Sequence, residues 1–286
     1  MMTLVWSSLT IGAVYALVAT GYNVVFTASG VFNFAHAQLM MLGVFVAYAG
    51  LVVLKLPIIV VFLMAGAIVF VVAAVEERIA IRPVRLAEAQ LVTTVGVATF
   101  INGSVQRIWG PSPLSVPFFG SSKSVILFGG FILPDEILII VTTLFVVALL
   151  IVLSRRTMIG LAMLAIAENR EAALLRGVNV RRLALGAFAF SGLLAGLLGP
   201  IIGPQTFAAA GLASAIALYG FVALAIGGFG SLPGGLIGGM VVGFAEEFTA
   251  RYLNSNYPDV IVFGILLAVL LLRPNGLFGK IRERAV

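Results

Sequence analysis

Cysteine is absent from this chain and histidine occurs once, at His36. The first absence excludes disulfides, thiolate metal sites and cysteine nucleophiles. The second argues against a histidine-built metal centre or Ser-His-Asp chemistry. Charge is also scarce: 17 Lys or Arg and 11 Asp or Glu make 10% of 286 residues, while 62% are hydrophobic. An ordinary soluble domain is about a quarter charged, so the chain reads as a membrane protein. At about 20 residues per helix it holds at most roughly a dozen spans. No soluble domain of the usual ~100 residues is left over. A G-x-x-x-x-G-K-[ST] loop is missing too, because the glycine-rich run from Gly227 to Gly235 has no lysine to meet a phosphate. No span has a charge at mid-depth, where proton- and voltage-driven machines carry theirs. Glu76, Glu77, Glu246 and Glu247 read as solvated span ends.

The apolar runs give nine candidate spans: Thr3 to Phe26, Gln38 to Leu54, Pro57 to Ala80, Gln90 to Trp109, Asp135 to Leu153, Leu183 to Gly203, Leu212 to Phe229, Leu232 to Leu253 and Tyr257 to Leu272. Their continuity and length favour helices over the alternating segments of about ten residues that build a barrel. The expected fold is therefore an all-α polytopic membrane bundle of eight or nine helices, forming one transmembrane domain over 1–286. The first basic residue is Lys55, so the N-terminal run lacks a signal peptide's basic region and is expected to remain as a span. Nine spans put Arg78, Arg82, Arg85, the arginines from Arg155 to Arg182, and Arg273, Lys280, Arg282 and Arg284 on one side. The positive-inside rule makes that side cytoplasmic, with the C-terminus inside and the N-terminus outside. Treating Leu212 to Leu253 as a re-entrant pair flips the N-terminus. The net charge of +6 thus reports orientation, and nucleic acid is not an expected partner.

Thirty-two glycines in an apolar chain need a purpose, since each costs about 1 kcal/mol against alanine within a helix. Gly192, Gly196, Gly199 and Gly203 fall on one helix face, and Gly235, Gly239 and Gly243 on another. Such stripes let helices approach closely in lipid, either within the bundle or at a dimer seam. Two polar breaks stand out, Thr27-Ala-Ser-Gly-Val-Phe-Asn-Phe-Ala-His-Ala-Gln38 and Gly227-Gly-Phe-Gly-Ser-Leu-Pro-Gly-Gly235. Each follows similar text, Ala16 to Gly21 and Ala223 to Gly228, a pattern suggesting internal duplication with broken helices beside a pathway. Tyr15, Asn33, His36 and Gln38 are the candidate pathway residues. For Asn33, His36 and Gln38, capping a helix start is an equal alternative.

The longest charged stretch, about 155–182, reads as helical, with Gly177 stopping a helix that ends at Arg176. Leu161, Leu164, Ala165, Glu168, Ala172 and Leu175 are expected to share its inward face. Its arginines suit a loop that only sets topology, whereas Glu168, Asn169, Arg170, Glu171, Ala172 and Ala173 suit the groove of a partner protein.

Glu171-Ala-Ala-Leu-Leu-Arg-Gly177 resembles the coupling-loop signature of ABC-importer permeases, without that signature's I-x-L-P part. Most of the chain is similar to the branched-chain amino acid (LIV-type) permease family. The resemblance runs through Gly12-Ala-Val-Tyr-Ala-Leu-Val-Ala-Thr-Gly21, Gly30-Val-Phe-Asn-Phe-Ala-His36, Arg82-Pro-Val-Arg85, Met158-Ile-Gly-Leu-Ala-Met163, Ala167-Glu-Asn-Arg170, Phe190-Ser-Gly-Leu-Leu-Ala-Gly196, Gly227 to Gly235 and Arg273-Pro-Asn-Gly-Leu-Phe-Gly279. The early N-F-A-H looks like the smaller of the two permease types.

The resemblance implies a multi-pass protein of the bacterial inner membrane, paired with a second related permease. Two cytoplasmic ABC ATPases would use ATP and Mg, and a periplasmic binding protein would deliver a small amino acid. The chain itself would need no cofactor and would not be an enzyme. Glu168, Asn169, Arg170, Glu171, Ala172, Ala173 and Gly177 would meet an ATPase. Urea, amides and aromatic acids remain alternative cargoes, and a self-sufficient channel for a small neutral solute, or a nontransporting scaffold, remains an alternative function.

Overall fold

The computed structural model describes residues 1–84, 86–121 and 123–279, so Arg85, Lys280, Arg282 and Arg284 of the charge assignment lie outside the described residues. Its elements are α1 (Met2–Ser29), α2 (His36–Tyr48), α3 (Ile58–Val75), α4 (Ala87–Trp109), β1 (Val125–Leu127), β2 (Gly130–Ile132), α5 (Pro134–Arg156), α6 (Met158–Glu168), α7 (Arg170–Leu175), α8 (Val180–Thr206), α9 (Ala210–Gly227), α10 (Leu232–Tyr252) and α11 (Pro258–Leu272). Wider π-helical turns prolong α2 through Val53 and α3 through Ile81. Among the described residues, α1, α2, α3, α5, α8 and α9 are long and apolar enough to cross a membrane, counting the π turns of α2 and α3. The chain is an all-α polytopic bundle.

Loop contacts define its two ends. At the first, the Tyr252 hydroxyl reaches Met1 Sδ at 2.6 Å, Trp6 Nε1 donates to the Leu127 carbonyl at 3.3 Å, and Leu114 pairs with Ala208 in an isolated bridge. At the second, Asn33 meets Glu76 and the backbone N–H of Leu277 meets the Ile226 carbonyl. The N-terminus and residue 279 consequently sit at opposite ends. The β1–β2 hairpin closes with positive φ at both Phe128 and Gly129, the twist that a two-residue turn between antiparallel strands requires. It rests on the start of α1, where Phe131 N–H donates to Thr3 Oγ1 at 3.2 Å.

Glycine decides how the central helices meet. α10 lies against α1 so closely that a Cβ at Gly239 would stand 2.6 Å from the Ala16 nitrogen, and one at Gly243 would stand 2.5 Å from Gly12 Cα. Gly235 faces Ala19 and Asn23 with ordinary van der Waals room to Ala19, 3.5 Å away. The α8 stripe divides its work between two neighbours. Gly192 and Gly196 press on Val69, Ala65 and Gly66 of α3, while Gly199 presses on Gly43 and Val44 of α2. Since lipid tails are as apolar as any side chain, such close backbone approach replaces the hydrophobic force that would join helices in water.

Replacing Gly239 with valine should destabilise the bundle by about 1–3 kcal/mol, the usual penalty for overpacking. Gly264→Ala, inside α11 where an added Cβ meets no atom within 4 Å, should raise stability by up to about 1 kcal/mol. Thermal unfolding of the two purified variants in one detergent checks the contrast.

Candidate functional site

Both polar breaks lie at the second end, the first held by Asn33 within the turn itself and the second by Asn23 of α1. α1 ends where Gly30 takes a left-handed φ of 75° and its N–H returns to the Phe26 carbonyl. The chain then folds back so that α2 begins beside Gly21, about 12 Å short of the end of α1 at 1.5 Å per residue. Non-helical backbone is tolerated at such depth only where protein covers and satisfies it. Asn33 meets this need: Oδ1 accepts from Ala35 N–H at 2.9 Å and Nδ2 donates to Glu76 Oε2 at 3.1 Å. It therefore shapes the local turn and also ties that turn to the end of α3.

His36 is wholly inside the protein, with Nδ1 at 2.9 Å from Ser191 Oγ of α8 and its ring against Tyr22, centroids 5.8 Å apart. Its ring occupies the space where a side chain at position 21 would be, which explains glycine there. Gln38 is buried on the same first turn of α2, and its Oε1 has no protein donor among the described residues. Asn33, His36 and Gln38 are thus all buried around the start of α2, where Asn33 reaches the end of α3 and His36 reaches α1 and α8. Tyr15 does not join them. It sits about 9 Å farther along α1, where its hydroxyl donates to Glu246 Oε2 at 2.6 Å and its ring meets Tyr219 edge-on at 5.2 Å. Tyr219 in turn donates to Asp259.

Two acidic residues expected at a solvated span end are not solvated. Glu76 and Glu77 are 4% and 3% exposed, because the π turn carries α3 onward under the α1–α2 turn and against α8, where Val25, Ile81 and Phe188 cluster. Burial of a carboxylate demands partners. Arg82 supplies a two-pronged pair to Glu77, at 3.3 and 2.9 Å, and Asn33 supplies one bond to Glu76. Glu246 and Glu247 are likewise partly covered, the latter accepting from Ser7 at 2.9 Å.

The second break depends on a residue that the sequence pattern did not single out. Asn23, fully buried in α1, accepts from Gly230 N–H at 2.7 Å and donates to the Ser231 carbonyl at 3.0 Å. The terminal carbonyls of α9 lack partners within their own helix, as at any helix end. Leu277 and Phe278 N–H groups satisfy those of Ile226 and Gly227 at 2.8 and 3.0 Å. The two breaks also touch each other through half-buried rings: Phe26 stacks on Phe32 at 4.4 Å, Phe32 meets Phe229 at 5.1 Å, and Phe34 meets Phe221 at 5.4 Å. A polar asparagine in an apolar run, spaced from its target by some two hundred residues, gives no local signal of this role.

The charged stretch at about 155–182 departs from the expected single helix. It is two helices, α6 and α7, separated at Asn169, whose backbone is extended and whose Oδ1 caps α7 by accepting from Ala172 N–H at 2.9 Å. The break rotates the faces. Ile166 and Ala173 turn inward and cluster with Val180, while Leu161, Ala165, Glu168 and Leu175 are exposed and Leu164 and Ala172 are half-buried. The predicted inward stripe is therefore corrected. Arg170, Glu171 and Leu174 also face outward, Leu175 is 90% exposed, and Gly177 ends the segment with a left-handed φ of 82°.

Comparison with known proteins adds a family. The model for the permease component of branched-chain amino acid transport systems matches residues 4–270. The high-affinity branched-chain amino acid transport system permease protein LivH of Salmonella typhimurium is 32% identical, covering 96% of this chain and 94% of its own. BraD of Pseudomonas aeruginosa, described in the same words, is 30% identical with the same coverage. Among solved structures, PsaBC from Streptococcus pneumoniae in complex with Fab superposes with a TM-score of 0.52 at 13% identity, over 95% of this chain and 92% of that one. This last likeness concerns the fold alone.

Asn23→Leu, which leaves one buried donor and one buried acceptor unpaired, should cost about 1–3 kcal/mol for each and lower the melting temperature clearly. Gly21→Ala should do the same by displacing His36, whereas Asn23→Asp, which keeps both bonds only as the neutral acid donating to the Ser231 carbonyl, should destabilise more as pH rises. Unfolding curves of the three variants, taken across pH for Asn23→Asp, test these outcomes.

Proposed function

The chain belongs to the family of branched-chain amino acid transport permeases, and from that premise we propose that it is the membrane subunit of an ABC importer carrying branched-chain or related small amino acids into the cytoplasm. Its residues over 1–286 act as one transmembrane permease unit. A second related permease completes the pathway, a periplasmic binding protein delivers cargo, and two ABC ATPases that use ATP and Mg supply energy. The observation that carries this reading is the outward face of α7. Leu174 and Leu175 are exposed beside Arg170, Glu171 and Arg176, at the end of the bundle where basic residues predominate. An exposed leucine pair rimmed by charge suits a protein groove, and the positive-inside rule makes that end cytoplasmic. The described C-terminal segment lies at the same end and is therefore assigned to the cytoplasm.

Coupling arises from how α7 is mounted. Closure of the ATPases moves α7, and α7 is joined to α8 through the turn at Gly177 and the packing of Ala173 on Val180. α8 bears the glycines that seat α2 and α3 and the serine that holds His36. A displacement of α7 thereby reaches the start of α2 with Asn33, His36 and Gln38, which we assign to the translocation pathway together with Tyr15, which faces α9 and α10 nearer the outer end. Recognition rests chiefly with the binding protein, so the permease holds cargo only weakly.

Glu171→Lys and Leu175→Glu should each lower ATP-driven uptake of leucine by tenfold or more in vesicles holding the whole transporter, with the amount of folded permease unchanged. Undiminished uptake would refute the coupling role. Vesicles containing this chain alone should show no leucine or urea flux; passive flux would favour a self-sufficient channel.

A further inference from the structure

The corner Arg155-Arg-Thr-Met-Ile-Gly160 has no part in the function just proposed, yet it is built firmly. Thr157 Oγ1 donates to the Leu153 carbonyl at 2.7 Å and accepts from Gly160 N–H at 3.0 Å, which caps α6. Gly160 is buried against α5, where an added Cβ would come within 2.6 Å of the Ser154 carbonyl oxygen. α6 is thereby locked onto the end of α5 by its glycine face, and the residues flanking that glycine turn outward. Met158 is 86% and Ile159 62% exposed.

The surroundings indicate what those residues meet. Val141, Phe145, Leu149 and Val152 are exposed along α5 at helical spacing, forming a continuous apolar face suited to lipid tails. Arg155 and Arg156 continue the same helix by one turn, both exposed, and neither has an acidic or hydrogen-bonding side-chain partner among the described residues. An apolar face followed by two guanidinium groups is the order met on passing from acyl chains into the headgroup layer, and the chain turns back at Thr157 so that Gly160 lies beside Leu153 and Ser154, which returns Met158 and Ile159 to that level. The guanidinium fork matches two oxygens of a phosphate. The exposed leucines of α7 are separate, lying beyond the break at Asn169.

We propose that this corner binds an anionic phospholipid: Arg155 and Arg156 engage the headgroup phosphate, and Met158 and Ile159 sink into the acyl boundary. The inference rests on the orientation assigned above, which puts this end at the cytoplasmic leaflet. Its consequence is that α6 is anchored to the bilayer while α7 stays free in water to receive an ATPase.

Because the chain lacks cysteine, single labels can be placed by substitution. An environment-sensitive fluorophore on Ile159→Cys, with the full chain in phosphatidylcholine and phosphatidylglycerol vesicles, should be quenched by phospholipid brominated near the glycerol and shielded from aqueous iodide. A label on Leu175→Cys should behave in the opposite way. Phosphatidylglycerol retained through detergent purification, relative to phosphatidylcholine, should fall about fivefold for each arginine removed in Arg155→Gln and Arg156→Gln. Iodide access at position 159, or unchanged lipid selectivity in the double variant, would overturn the proposal. An impermeant thiol reagent reaching Leu175→Cys from the periplasmic side of spheroplasts would instead overturn the orientation beneath it.

Discussion

Inside a bilayer every backbone amide and carbonyl must find its partner within the protein, and each departure from regular helix has to be covered for that reason. Two departures near the core of this molecule show how the requirement is met. At the first, Asn33 closes the turn on itself and reaches Glu76, and at the second, Asn23 binds both sides of the Gly230–Ser231 peptide unit. The end of α9 is completed from outside, by the N–H groups of Leu277 and Phe278. Three sequence segments far apart in the chain, around Asn33, Gly230 and Leu277, are each needed where they are because water cannot substitute for them.

The same constraint divides the helices into two kinds. α1, α2, α8 and α9 bury more than half of their apolar stretch and α10 joins them through one glycine face, whereas α3 and α5 keep broad faces of Val, Leu, Ile and Phe outward. The former can hold buried polar groups such as Asn23, His36 and Ser191, since protein surrounds them on all sides. The latter have none on their outer faces at mid-depth.

Much of this was legible in the residues. Continuous apolar runs of about twenty located the crossing helices, and the glycine stripes marked faces that do meet neighbours closely. What escaped was anything decided by contacts distant in sequence. Glu76 looks like a solvated end because a run of apolar residues stops there, yet the π turn and the folded-back α1–α2 segment cover it. The inward face of the coupling segment was misread because Asn169, a poor helix former with a good capping side chain, interrupts a periodicity that otherwise seems continuous. Asn23 carries no local signature, and its partners lie at the other end of the chain.

The interruption at Asn169 also decides how α7 is mounted on the bundle. A single helix from Met158 to Leu175 would be stiff, and a load at its tip would be shared with α5 through the Thr157 corner. Separation at Asn169 lets α7 take its own direction, and Ala173 then packs with both Ile166 of α6 and Val180 of α8. α8 is the helix whose glycines seat both α2 and α3 and whose Ser191 holds His36. Under the coupling proposed above, motion delivered at the exposed face of α7 enters through Ala173 and Val180 and reaches His36 by way of α8.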